Sequence, residues 1–209
     1  RRPPISTLLP YTTLFRSKQS EFDIKPRIRI EGNALSAYGW RNDLPAKLRA
    51  ETGKVLSRWG DAGWGKIVAN DKHNNYFRDE LVDAMVEMIT KRWSPNPKPL
   101  WVTCIPSLRH SELVPNFAER LAKKLNIPFK PIIVKAKETA QQKLQENSFY
   151  QCKNLDGVFV IQGSVLNEPV LLVDDAIDSG WTLTVAAALL KTSGSGLVYP
   201  VALTSTSVN

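Results

Sequence analysis

Residues 170–183 read VLLVDDAIDSGWTL. Four apolar residues run straight into two adjacent carboxylates, Asp174 and Asp175. A short turn follows, Asp178-Ser179-Gly180-Trp181-Thr182, and the chain then resumes with the helix former TVAAALL. Neighbouring carboxylates repel each other and are rarely buried without partners, so this placement needs a purpose. An apolar strand that ends in acids and turns into a helix is the local form of a parallel sheet, and in such sheets ligands sit just beyond the carboxyl ends of the strands.

The same alternation continues to either side of this stretch. LWVTCI (100–105) reads as a buried strand, and SELVPNFAERLAKKL (111–125) as a helix with Leu113, Phe117 and Leu121 on one face. FKPIIV (129–134) and GVFVI (157–161) are further strand candidates, and GLVYPVALTS (196–205) is the last. The predicted class is α/β, a parallel sheet flanked by helices. KAKETAQQKLQENSFYQCKN (135–154) is polar without an apolar stripe and is predicted to be a loop or hood.

Upstream the pattern weakens. Residues 1–17, RRPPISTLLPYTTLFRS, fit nothing downstream, and PYTTLFRS looks like the translation of a sequencing-adapter oligonucleotide, so this stretch is set aside as an artefact. It implies that the natural amino end is absent. Residues 18–99 are predicted to be a linker and a mostly helical extension, with helices over LPAKLRAETGKVLSRW (44–59) and YFRDELVDAMVEMITKRW (76–93). In the second of these, Phe77, Leu81, Met85, Met88 and Ile89 share a face. Residues 100–209 form the main domain. GDAGWGKI (60–67) has the G-x-x-x-x-G-K spacing of a nucleotide-binding loop. However, Ile67 stands where magnesium needs a hydroxyl, and LSRW before it reads as helix, so the segment is predicted to be a Gly-rich surface turn.

Composition sets the remaining limits. The chain has 209 residues, 43% of them hydrophobic, enough for one sizeable core. No apolar run approaches the roughly 20 residues that cross a bilayer, so no membrane partner and a cytoplasmic address are expected. Cys104 and Cys152 are predicted to be buried thiols, and no His/Cys metal cluster has plausible spacing. The formal charge of +8 becomes +5 once Arg1, Arg2 and Arg16 are set aside, an excess that suits an ordinary solvated surface as well as a nucleic-acid patch.

The chemistry of 170–183 is specific. Two carboxylates at a strand end can accept hydrogen bonds from neighbouring ribose hydroxyls or share a divalent cation. The backbone amides and hydroxyls of the following turn, at a helix start, converge on an anion, and a phosphate fits. Sugar and phosphate recognition then lie side by side, as a ribose 5-phosphate requires.

VLLVDDAIDSGWTL closely resembles the phosphoribosyl pyrophosphate (PRPP) signature of the type I phosphoribosyltransferases. The resemblance implies their Rossmann-like fold and a PRPP-binding set of Asp174, Asp175, Ala176, Ile177, Asp178, Ser179, Gly180, Trp181 and Thr182. In this set Asp174 and Asp175 face the ribose hydroxyls and Mg2+, residues 178–182 wrap the 5-phosphate, and Asp178 stands where some members place a catalytic base. Trp181 departs from the small or flexible residue common there and puts the room for an acceptor base in doubt. By the same likeness PSLRH (106–110), after LWVTCI, offers Ser107 and Arg109, with His110, to the diphosphate, Arg109 favouring the leaving group; a solvated loop is the plainer alternative. Gln141, Asn154, Gly157 and Phe159 resemble the hood of ComF-type proteins. SRWGDAGWG, PLWVTCIPSLRH, LVPNFAERLA, LLVDDAIDSGWTL and VYPVALTSTS together are similar to the carboxyl-terminal module of some bacterial RecQ-type ATP-dependent DNA helicases. Three readings follow. One is an accessory module of such a helicase, binding PRPP or a nucleotide and reaching DNA weakly or through a motor that this chain does not carry. The others are a free-standing salvage phosphoribosyltransferase and a ComF-like DNA-uptake accessory without turnover.

Overall fold

The computed structural model describes residues 22–107, 110–136 and 148–206. In chain order its main elements are β1 (Phe22–Ile24), β2 (Arg29–Leu35), β3 (Trp40–Asp43), β4 (Gly53–Arg58), α1 (Trp64–His73), α2 (Asp79–Glu87), β5 (Trp101–Cys104), α3 (Leu113–Leu125), β6 (Ile133–Lys135), α4 (Ser148–Lys153), β7 (Phe159–Ile161), β8 (Val170–Ile177), α5 (Trp181–Thr192) and β9 (Val198–Ser205). The central sheet has the order β1-β4-β9-β8-β5. Its strands are parallel except β1, which runs antiparallel to β4. The chain is thus an α/β protein with a mostly parallel sheet flanked by helices, as its strand-helix alternation predicts.

Strand β8 lies inside the sheet, paired with β5 through Val173↔Cys104 and with β9 through Val173↔Val201. Its first four residues are fully buried because both faces of the sheet are covered. Val170 and Leu172 join Leu183, Ala186 and Leu190 of α5 in one core, whereas Leu171 and Val173 join Leu81 and Met85 of α2 and Phe117 and Leu121 of α3 in the other. This alternation is the period of two of a strand. Helix α5 is apolar nearly all round and accordingly buried along its length. The stripe Phe77, Leu81, Met85, Met88 and Ile89 is buried as predicted, with α2 passing into a π-helical turn at Met88–Trp93. Cys104 and Cys152 are buried free thiols.

The segment before residue 100 differs from its prediction. It is strand and turn before it is helix, and the stretch expected to be helical at 44–59 contains only a 3-10 turn at Ala46–Leu48 and then β4. The cause is tertiary. Pairing alongside β9 sends Val55 into one core and Leu56 into the other, a gain that local helix propensity does not match. The sheet therefore spans the expected boundary at 99/100. FKPIIV and GVFVI also depart from expectation. They form an antiparallel pair, β6 with β7, outside the central sheet, and Phe129 retains a single parallel bridge to Val102.

Beside the sheet, the β2-β3 hairpin is bonded to the 148–161 region. The Tyr38 hydroxyl donates to the Phe159 carbonyl (3.1 Å) and accepts from the Phe159 N–H (2.8 Å). Asp156 accepts from the Ala37 N–H at 2.7 Å. Of the hood likeness, Asn154, Gly157 and Phe159 fall here, while Gln141 lies outside the described residues, as do residues 1–17.

Because β4 is a strand, GDAGWGK sits in a strand-turn-helix, and the argument from a helical LSRW fails. The second glycine of the spacing answers a packing demand: a Cβ on Gly65 would lie 1.8 Å from the Arg58 carbonyl oxygen. Gly65→Ala is expected to push α1 off β4 and destabilise the fold by roughly 1–3 kcal/mol. An unchanged urea midpoint would contradict this account of the glycine.

Candidate functional site

Strand β8 continues past its apolar run, so Asp174 and Asp175 lie within the strand, with Asp174 opposite Ala202 and Ala176 opposite Thr204. Asp174 is only 9% exposed, and its Oδ1 accepts the Asp175 N–H at 2.8 Å. Burial first, and the Asp175 charge second, push the Asp174 carboxyl well above the usual carboxylate range, against the pull of that N–H and of the Lys72 ammonium. The neighbouring Cys104 thiol is pushed up to about 12, by burial and then by Asp174.

Two lysines that sequence reasoning missed serve this pair. Lys72 Nζ, from α1, lies 2.7 Å from Asp175 Oδ2. Its helix is anchored one residue earlier, where buried Asp71 takes the Arg78 guanidinium at 2.6 Å and the Arg78 N–H at 2.9 Å. Lys135, at the end of β6, is held below the usual lysine range by burial, opposed by the attraction of Asp174. The only signal for Lys72 was the strand-turn-helix of β4 and α1, which the sequence disguised; Lys135 stood at the end of a strand placed in the wrong sheet.

Ala176 and Ile177 close β8 and are half-buried, and Asp178 is exposed at the start of the turn. Gly180 has φ 80°, a left-handed conformation that glycine adopts without strain, and it forms the N-cap of α5. The first intrahelical bond runs from Thr184 N to Gly180 O (3.1 Å), so the amides of residues 181–183, Thr182 included, precede the helical ladder. The turn is pinned from both sides. Arg27 Nε donates to Ser179 O at 2.6 Å and the Arg27 N–H to Thr184 Oγ1 at 3.0 Å, while the Thr206 N–H donates to Ile177 O at 2.8 Å. Trp181 is 2% exposed, packed in the core with its Nε1 donating to Ser148 Oγ of α4 at 3.2 Å.

Strand β5 ends beside the pair, its continuation bonded through Ile105 N to Val173 O (2.9 Å). Ser107 Oγ accepts the His110 N–H at 3.3 Å, and His110 Nδ1 lies 2.8 Å from Asn75 Oδ1 in the turn after α1. Arg109 lies outside the described residues. The structure thus brings Asp174, Asp175 and residues 176–182 together on one strand-turn-helix, with Ser107 on the loop after the adjacent strand.

The family model described as the phosphoribosyl transferase domain matches residues 115–202, a span that includes β8, the turn and α5. The chain carries a phosphoribosyltransferase-like domain. The match covers less than half of the chain, and no curated protein matches it. Solved structures similar to it include the adenine phosphoribosyltransferase of Leishmania tarentolae, at 16% identity over 66% of this chain and 73% of that one, TM-score 0.41. Another is a purine phosphoribosyltransferase of Pyrococcus horikoshii, at 19% identity over 64% and 89%, TM-score 0.40. A third is the Trypanosoma brucei adenine phosphoribosyl transferase in complex with AMP, pyrophosphate and ribose-5-phosphate, at 15% identity over 66% and 67%, TM-score 0.41. With TM-scores below 0.5, these superpositions decide nothing about activity.

The raised Asp174 carboxyl of this phosphoribosyltransferase-like domain has a measurable consequence. The native state holds that proton more tightly than the unfolded chain, so the stabilising contribution is fully present below the unfolded carboxyl range near pH ~4 and is lost as pH rises through the folded pKa. Asp174→Asn keeps an oxygen for the Asp175 N–H and removes the titration. Its melting temperature relative to wild type is expected to climb as pH rises from about 4 into the neutral range. A difference that stays flat over that range would refute the assignment.

Proposed function

We propose that this domain binds PRPP or a nucleotide carrying ribose 5-phosphate. The observation that carries the reading is the carboxylate pair in the carboxyl-terminal half of β8, three residues before a turn that presents helix-start amides, inside the segment matched by the phosphoribosyl transferase domain model. In this reading Asp174 and Asp175 accept hydrogen bonds from the ribose hydroxyls. The amides of residues 178–182, with the Ser179 and Thr182 hydroxyls, donate to the 5-phosphate, and Gly180 lets the backbone turn close on it. Ser107 and Arg109 meet the diphosphate at C1, Arg109 stabilising it as it leaves. Asp178, exposed at the turn, receives a proton from the nucleophile as the C1–diphosphate bond breaks and the new C1 bond forms.

Asp174 and Asp175 would also hold Mg2+, which supplies charge neutralisation of the diphosphate. Among the described residues no set of three or more His, Cys, Asp or Glu forms a metal cluster. Two carboxylates nonetheless suit Mg2+, which takes one or two and fills its shell with water and substrate oxygens. Lys72 already neutralises Asp175 and has to share or release it when the cation binds.

As a finer proposal, the domain is the accessory module of a RecQ-type helicase, a reading supported by the sequence likeness of residues 57–65, 99–110, 113–122 and 198–207. DNA is then engaged through the motor, with weak and salt-sensitive binding by this domain alone. An upstream reading frame lacking helicase motifs in the source genome would remove that parentage. A salvage transferase is the second reading, favoured by the buried Trp181 ring, which packs into the core and leaves the turn to a ligand.

Calorimetry with Mg2+ and PRPP tests the central reading. Wild type is expected to bind, and the double substitution Asp174→Asn, Asp175→Asn to lose binding while still unfolding cooperatively. Equal affinity in both proteins would overturn it.

A further inference from the structure

A cavity of about 220 Å³ opens on the other flank of the turn, walled by residues 177–180, by the amino-terminal strand and its extension at residues 22–27, and by Arg58 and Ser205. Three cations line it, Lys25, Arg27 and Arg58. Of its two carboxylates, Asp23 is paired with Lys54 outside the lining, at 2.7 Å, which leaves Asp178 alone against the three. The two arginines are held in place. Arg27 is fixed to Ser179 O at 2.6 Å, and the Arg58 guanidinium stacks 4.3 Å above the Phe22 ring. An arginine with one N–H engaged keeps four further donors, and the fork geometry suits phosphate oxygens.

What the wall leaves out identifies the ligand. Asp174, Asp175 and Ser107 do not line the cavity. Under the proposed function those residues take the sugar and the C1 side, and the turn takes the 5-phosphate. A space that shares only the turn lies beyond the 5-phosphate, away from the sugar. We infer that this cavity binds a second phosphate that follows the 5-phosphate of the ligand, either bonded to it directly or carried across one intervening sugar. The chemistry is that of a nucleoside 5′-diphosphate, or of a nucleic-acid strand whose next phosphodiester continues on the 5′ side. This inference rests on the proposed placement of the 5-phosphate in the turn.

Calorimetry can compare a nucleoside 5′-monophosphate, its 5′-diphosphate, and a dinucleotide in which the same nucleoside follows a 5′-phosphorylated residue. The diphosphate or the dinucleotide is expected to bind about tenfold more tightly than the monophosphate, with a steeper salt dependence. A gain confined to the diphosphate points to a free nucleotide, and a gain with the dinucleotide to a strand. Lys25→Gln with Arg58→Gln is expected to erase the gain and leave monophosphate affinity unchanged. Lys25→Gln alone, which spares the stacking on Phe22, is expected to reduce it. Monophosphate binding without any gain, or a gain that persists in the double variant, overturns the inference while the proposed function stands. Failure of every ligand, monophosphate included, overturns both.

Discussion

Asp174 is a carboxyl group taken out of water within a strand whose first four residues are fully buried. Such a group is costly when charged, and a second acid beside it raises the cost. The surroundings are arranged around that constraint. The Asp175 amide bonds to the Asp174 carboxylate, Lys72 reaches in from α1, and Lys135 approaches from β6. Burial of Val170 to Val173, at about 1.5–3 kcal/mol for each large side chain, offsets one unfavourable carboxyl. A pair held in this manner is poised to exchange internal partners for hydroxyl groups or a cation.

The turn after β8 depends on the same economy of backbone groups. The carbonyls of Ser179 and of Ile177 just before it are taken by Arg27 and Thr206, from opposite ends of the described chain, while its amides open the α5 helix. Fixing the acceptors leaves the donors as the chemically available edge, and that polarity favours an anion. Trp181 contributes by anchoring the first turn of α5 in the core and bonding to Ser148, so the helix start is tied to α4.

Much of this was legible in the sequence, because an apolar run of four followed by acids has few solutions other than an interior parallel strand. β5, β8, β9 and the helices α3 and α5 declared themselves by period and length. β4 did not. GKVLSR has only two apolar side chains facing opposite cores, and a preceding helix-friendly stretch hides it. With β4 read as helix, α1 had no position, and Lys72 could not be connected with an aspartate 103 residues later. The misplacement of β6 and β7 has a similar origin. Short apolar runs show that a strand exists but not which sheet receives it, and the bond between Tyr38 and Phe159 that holds them is visible only in three dimensions.

The position of β4 bears on how this molecule can be dissected. It covers one side of β9 from Val201 to Ser205, with four registered pairs from Lys54↔Val201 to Arg58↔Ser205. Trimming the chain at the compositional break near residue 99 would strip that cover and bare a long, apolar row of unsatisfied peptide groups, a template for self-association. The smallest soluble fragment therefore has to begin upstream of Gly53, and a truncation that ignores this would precipitate for reasons unrelated to any ligand.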